Sequence, residues 1–180
     1  PGNVPAFIER TANIPQAVAD IFASKTFDNG TICASEQAIV TEEVIADAVI
    51  REVERQGGYF LPASDLPRLE KTVILPGGGV NPKVVGQSPK VIAGLVGIQI
   101  PADTKVILVR LDRVGPEAPL SAEKLCPVLA FYTEKDWLQA CERCYELLRY
   151  GGVGHSLVIH SQNEQIIREF ALKKPVFRIL

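Results

Sequence analysis

Residues 128–160 read VLAFYTEKDWLQACERCYELLRYGGVGHSLVIH. The short apolar run 128–132 reads as a strand. Over 135–149 the side chains of Trp137, Leu138, Cys141, Cys144, Tyr145 and Leu148 recur on one side of a 3.6-residue period, which predicts the longest helix of the chain. Gly151 and Gly152 end that helix, and 157–160 returns as a second strand. A strand, a helix and a further strand in this order are the parts of a parallel sheet with crossover helices.

The same alternation extends in both directions. Upstream, 4–9 is extended, and Ile14, Ala17, Val18, Ile21 and Phe22 follow at helical spacing with Pro15 in the first turn. Turn formers at 27–30 break the helix, 38–40 is a strand, and Thr41 is expected to cap a helix over 42–56. Gly57 and Gly58 stop it; a brief strand at 59–61 leads to a helix through 69–73 that Ser64 or Asp65 is placed to cap. A Gly/Pro-rich loop at 76–87, an apolar helix at 89–96, a strand at 106–109 and a loop at 115–121 complete the middle. Downstream, 163–172 is helical and 176–180 is a last strand. The fold class is α/β, a twisted, mainly parallel sheet flanked by helices, with 1–180 forming one domain.

Composition narrows the function classes. Of 180 residues, 47% are apolar and 22% charged, ordinary for a globular domain. A net charge of -2 without a basic stripe argues against nucleic acid as a partner. No apolar run approaches the roughly 20 residues that cross a bilayer, and no secretion signal is visible, so no membrane association and a cytoplasmic location are expected. The four cysteines are then expected as free thiols rather than disulfides. The sequence starts at Pro1 and holds no Met, which reads as a piece of a longer polypeptide.

The densest chemical signal is the polar loop Phe27-Asp28-Asn29-Gly30-Thr31-Ile32-Cys33-Ala34-Ser35-Glu36-Gln37. A thiol with small neighbours here would suit a thiolate nucleophile, and backbone N–H groups, that of Cys33 included, would stabilise the oxyanion formed by attack on a carbonyl. Spacing alone leaves the alternative of a buried, inert cysteine. His155 follows a glycine run that lets the backbone pass close to another surface; it could transfer a proton or orient substrate, or be a structural histidine within a turn. Cys141 and Cys144 have redox or zinc spacing, but no second pair accompanies them and both fall on an apolar helix face, so core packing is the reading and no metal site is assigned. The runs 77–79 and 151–154 are glycine-rich but do not join a strand to a helix as phosphate loops do.

The segment from Ser24-Lys25-Thr26 through Gln37 resembles the active-site segment of CoA-acylating aldehyde dehydrogenases. Pro1-Gly2-Asn3, Val85-Gly86-Gln87-Ser88 with Ile92-Ala93, the stretch 123–129 (EKLCPVL) and the stretch 151–156 (GGVGHS) agree with that family in order. The pattern is most similar to the aldehyde dehydrogenase half of bifunctional aldehyde-alcohol dehydrogenases. The resemblance implies that Cys33 is the nucleophile, that His155 borders the active site, and that Glu123 hydrogen-bonds the nicotinamide ribose hydroxyls of NAD rather than being a solvated loop carboxylate. It further implies a separate NAD-binding domain absent from this chain, coenzyme A as cosubstrate, a homo-oligomeric intact enzyme, and reversible oxidation of a small aldehyde to acyl-CoA through a cysteine thioester. Acetaldehyde is the default substrate, with succinic semialdehyde and sulfoacetaldehyde left open, as is a bacterial microcompartment. The isolated chain is expected to be inactive. A hydrolytic aldehyde dehydrogenase that makes free acids and a noncatalytic α/β interaction domain are the alternatives.

Overall fold

A computed structural model describes residues 2–172 and 176–180. Along the chain run β1 (Val4–Ile8), α1 (Ile14–Thr26), β2 (Glu36–Glu42), α2 (Glu43–Arg55), β3 (Gly58–Phe60), α3 (Leu66–Val73), α4 (Pro89–Val96), β4 (Val106–Arg110), β5 (Val128–Glu134), α5 (Trp137–Gly151), β6 (Ser156–His160), α6 (Glu164–Leu172) and β7 (Arg178–Ile179). The seven strands form one sheet in the order β3-β4-β5-β2-β1-β6-β7, and every neighbouring pair is parallel. The expected α/β fold is the one observed.

Both faces of the sheet are covered, which is why β1 and β2 are buried along their whole length. On one face Val4, Ala6, Ile8, Ile39 and Val158 meet Val18, Ile21 and Phe22 of α1 and Val49 and Val53 of α2. On the other, Phe7, Val40 and Tyr132 meet helices α3 to α6, with Phe170 of α6 stacked on Phe7 at 5.1 Å between ring centroids. Cys141 and Cys144 lie on the inner face of α5 within this second core, as expected, and no disulfide joins the cysteines.

Several local expectations are corrected. Thr41 does not cap α2, because β2 runs on to Glu42 and the Thr41 hydroxyl donates to the Ile8 carbonyl at 3.1 Å. Glu42 is itself buried and accepts from the Arg10 amide (2.7 Å) and guanidinium (2.9 Å), so the helix begins only at Glu43. Neither Ser64 nor Asp65 gives α3 a side-chain cap; Asp65 pairs with Arg68 instead. On α5, Leu138 points to solvent while Ala140 and Leu147 share the buried side, and Asp136 caps the helix through the Gln139 amide at 2.9 Å. The last strand is shorter than the expected 176–180.

One consequence of the topology positions the site. In a parallel sheet all entering loops meet at the same edge. The strands β5, β2, β1 and β6 are contiguous, so the loops that precede them stand side by side at the amino edge.

Candidate active site

Those four loops carry Glu123, Cys33, Gly2 and His155 respectively. Gly2 is the point where they meet. Its amide donates to Oε1 of Glu123 at 2.9 Å. A Cβ at this position would stand 1.9 Å from the Cys33 carbonyl oxygen and 3.3 Å from Cε1 of His155. The three residues singled out from the sequence are therefore brought together across one glycine. Pro1 lies outside the described residues.

The Cys33 loop is built against its own preference. Asp28, Asn29 and Gly30 take left-handed φ values of 48°, 48° and 77° in succession, which costs roughly 1 kcal/mol or more for each residue other than glycine and least for Asx residues. Neighbouring chain holds them there. The Asn29 side-chain amide donates to the Gly86 carbonyl at 3.0 Å, the Gly86 amide donates to the Leu125 carbonyl at 3.0 Å, and a Cβ on Gly30 would lie 3.0 Å from the Cys126 carbonyl oxygen. Thr31 closes the turn on the Asp28 carboxylate at 2.7 Å. The result is an exposed Cys33 on a braced loop. The amides of Ile32, Cys33 and Ala34 donate to no acceptor among the described residues, while the Ser35 amide closes a turn on the Ile32 carbonyl at 2.9 Å. Uncommitted N–H groups around an exposed thiol are the requirement of an oxyanion site.

Behind the loop the strand pairing shifts: Val4 pairs with Glu36 but Pro5 with Ala38, leaving Gln37 as an extra residue. Such a bulge turns consecutive side chains to the same side. Oε1 of Gln37 accepts from Lys25 Nζ (3.2 Å) and the Lys124 amide (3.0 Å). Lys25 and Lys124 are fully buried. Burial pushes the Lys25 amine down to about 8 and the Lys124 amine well below its ordinary value. The Lys124 amine donates to the Leu120 and Ala122 carbonyls at 2.8 and 2.7 Å, which fixes the backbone just before Glu123.

Glu123 keeps Oε2 without a partner among the described residues and is partly exposed. A single carboxylate oxygen so placed fits the paired hydroxyls of a ribose. Nδ1 of His155 is buried without a hydrogen-bond partner. The glycine run before it makes the close approach expected of it, since a Cβ on Gly152 would lie 2.7 Å from the Asn3 carbonyl oxygen. Asn3 in turn donates to the Ser121 and Leu147 carbonyls at 2.9 and 3.0 Å, tying the loops before β1 and β5 to α5.

Sequence reasoning misses the parts that do the holding. Gly2 is legible only as a turn, and Asn29, Lys25 and Gln37 only as members of a motif. An Asp-Asn-Gly triplet is a signal for consecutive left-handed residues and could have marked the brace. At the opposite edge, where α/β proteins usually bind ligands, a cleft of about 680 Å³ lies at the ends of β4 and β5. Its Arg143 is already paired with Glu134 and Glu146, both at 2.7 Å.

No family model matches the chain. It is 38% identical to an aldehyde-alcohol dehydrogenase 2 of Entamoeba histolytica over 99% of its own length and 22% of that protein. A solved structure of a probable aldehyde dehydrogenase from Listeria monocytogenes superposes with a TM-score of 0.97 at 53% identity, covering 100% of this chain and 40% of that one. An acetylating aldehyde dehydrogenase from Geobacillus thermoglucosidasius superposes with a TM-score of 0.97 at 45% identity, over 99% of this chain and 39% of that one. The chain thus spans from about a fifth to two fifths of the proteins it matches. No helix among the described residues is long and apolar enough to cross a membrane.

Proposed function

We propose, on the premise that this chain belongs to the acylating aldehyde dehydrogenases, that it is the cysteine-bearing domain of such an enzyme and that Cys33 carries the acyl group between an aldehyde and coenzyme A. The observation that supports this most directly is the convergence of Cys33, His155 and Glu123 on Gly2.

The Cys33 thiolate attacks the aldehyde carbon, and the carbonyl electron pair moves onto oxygen, where the free amides of 32–34 receive it. His155, whose Cε1 lies 3.3 Å from where a Cβ on Gly2 would stand, orients the incoming group. Glu123 holds the ribose of the nicotinamide nucleotide through its open oxygen. NAD, when bound, supplies the hydride acceptor, and coenzyme A supplies the thiol that takes the acyl group. Because that last exchange replaces one thioester by another, little free energy separates its two sides and the exchange runs in either direction. A separate NAD-binding domain completes the cleft, so the isolated chain is expected to have no dehydrogenase activity.

The test uses the complete enzyme. NADH formation from acetaldehyde and NAD is followed with and without coenzyme A, in wild type and Cys33→Ala. Turnover that requires coenzyme A and vanishes in the variant is the expected result. Turnover without coenzyme A would indicate hydrolysis to the acid, and activity surviving in Cys33→Ala would remove Cys33 as the nucleophile.

A further inference from the structure

Gln37, the extra residue of the bulge in β2, is fully buried, and both ends of its side-chain amide are used. At the oxygen end, Oε1 accepts from Lys25 Nζ at 3.2 Å and from the Lys124 backbone amide at 3.0 Å. At the nitrogen end, Nε2 donates to the Ser35 carbonyl at 3.3 Å. Each end reaches a different part of the site. The Ser35 amide closes the turn that carries Cys33 on the Ile32 carbonyl, so the nitrogen end holds that turn. Lys124 follows Glu123 directly, and its amine donates to the Leu120 and Ala122 carbonyls on the other side. The oxygen end therefore anchors the backbone from which the Glu123 carboxylate projects.

The amide can stand only one way round. A lysine amine and a backbone N–H are donors here, and a carbonyl oxygen only accepts. Turning the amide over would set its NH2 group against two donors and its oxygen against the Ser35 oxygen, inside the core where solvent cannot replace the lost bonds. The loops at 35 and 124 are far apart along the chain, and this side chain is a direct polar link between them.

We infer that Gln37 is a positioning residue that sets the Cys33 turn and the Glu123 carboxylate at a fixed spacing, its nitrogen end serving the thiol and its oxygen end the nucleotide. The inference rests on the reading above, in which Cys33 takes the acyl group and Glu123 holds the ribose, and adds the residue that keeps the two in register. Gln37 acts through the backbone at 35 and 124 and touches neither reactant. Its two ends can be removed separately. Gln37→Glu keeps an oxygen for Lys25 and the Lys124 amide but turns the donor to Ser35 into an acceptor, which pushes on the Cys33 turn alone. Gln37→Met keeps an unbranched side chain and gives up both ends.

The experiment takes two readouts in the complete enzyme, neither of which needs turnover: the Kd for NADH from its fluorescence, and the rate at which iodoacetamide alkylates Cys33, the exposed cysteine. Gln37→Met should weaken NADH binding by about fivefold and change the alkylation rate by about threefold or more. Gln37→Glu should change the alkylation rate as much and leave the Kd within about twofold of wild type. A general loss of stability lowers the fraction of competent enzyme but leaves the Kd of the remainder where it was, so the split between the variants reports positioning. Equal weakening of NADH binding in both variants, or an alkylation rate unmoved in both, would overturn the inference. Should Gln37→Met fail to fold, Gln37→Glu decides alone: a fivefold weaker Kd or an unchanged alkylation rate in it refutes the division of labour. Glu123→Gln separates the inference from the reading beneath it. If that variant binds NADH as wild type does, Glu123 is no cofactor residue and both fall; if it binds NADH weakly while Gln37→Met does not, only the role of Gln37 falls.

Discussion

Gly2→Ala is the smallest change that probes the whole arrangement. The added methyl would stand 1.9 Å from the Cys33 carbonyl oxygen, 2.9 Å from the Cys33 carbonyl carbon and 3.3 Å from Cε1 of His155. A carbon and an oxygen not bonded to each other need a little over 3 Å, so the Cys33 carbonyl has to retreat by about 1 Å or β1 must be pushed off the loop. Neither side yields readily. The Cys33 loop is braced through Asn29, Gly86 and Leu125, and the Gly2 backbone is held by Glu123 and followed by the buried Asn3. Overpacking of this kind costs about 1–3 kcal/mol of stability, and a misplacement of about 1 Å at a reacting group costs roughly 100-fold in turnover. In the complete enzyme, acetaldehyde oxidation in the presence of coenzyme A should therefore fall by about two orders of magnitude. The rate at which iodoacetamide alkylates Cys33 should change with it, because the thiol is carried on the displaced backbone. A variant with wild-type turnover and an unchanged urea midpoint would refute the close approach, and with it the claim that Gly2 assembles the site.

Two further outcomes follow from the same geometry. Lys25 has its amine held at about 8 in the folded protein, against 10.5 for a lysine in an unfolded chain. Between those values the unfolded state binds the extra proton, so stability rises with pH across about 8 to 10.5, while below 8 the cost of burying the charge is constant. Lys25→Met removes that step: its urea midpoint relative to wild type should be highest near neutrality and should lose on the order of 3 kcal/mol of advantage by the top of the window; a difference constant with pH would contradict it. Glu123→Gln keeps an oxygen for the Gly2 amide but gives up the charge proposed to hold the ribose, so in the complete enzyme the KM for NAD should rise about tenfold with a smaller change in kcat. An unchanged KM would take Glu123 out of cofactor binding.

How much of this is legible without coordinates depends on the range over which each feature is decided. Strand and helix order follows from local periodicity and punctuation, such as the apolar run at 128–132, the one-sided helix after it and the glycines that stop it, and the folded chain has these elements in that order. Errors fall where a long-range partner outweighs local propensity. Thr41 looks like a helix cap until the Ile8 carbonyl on the adjacent strand takes its hydroxyl, and Leu138 belongs to the apolar period of α5 but to no neighbouring surface. The stretch containing Cys33 is equally plain as a motif, because its chemistry is written in consecutive residues.

The sequence by itself determined the alternating α/β pattern, the resemblance to acylating aldehyde dehydrogenases and the identity of the candidate thiol, imidazole and carboxylate. Tertiary structure alone decided that these three stand close together. Glu123, Cys33 and His155 are far apart along the chain, and nothing local relates them. What does is the sheet order β5-β2-β1-β6: parallel pairing forces every entering loop to the same edge, and a residue without a side chain, Gly2, lets the four loops close to contact distance.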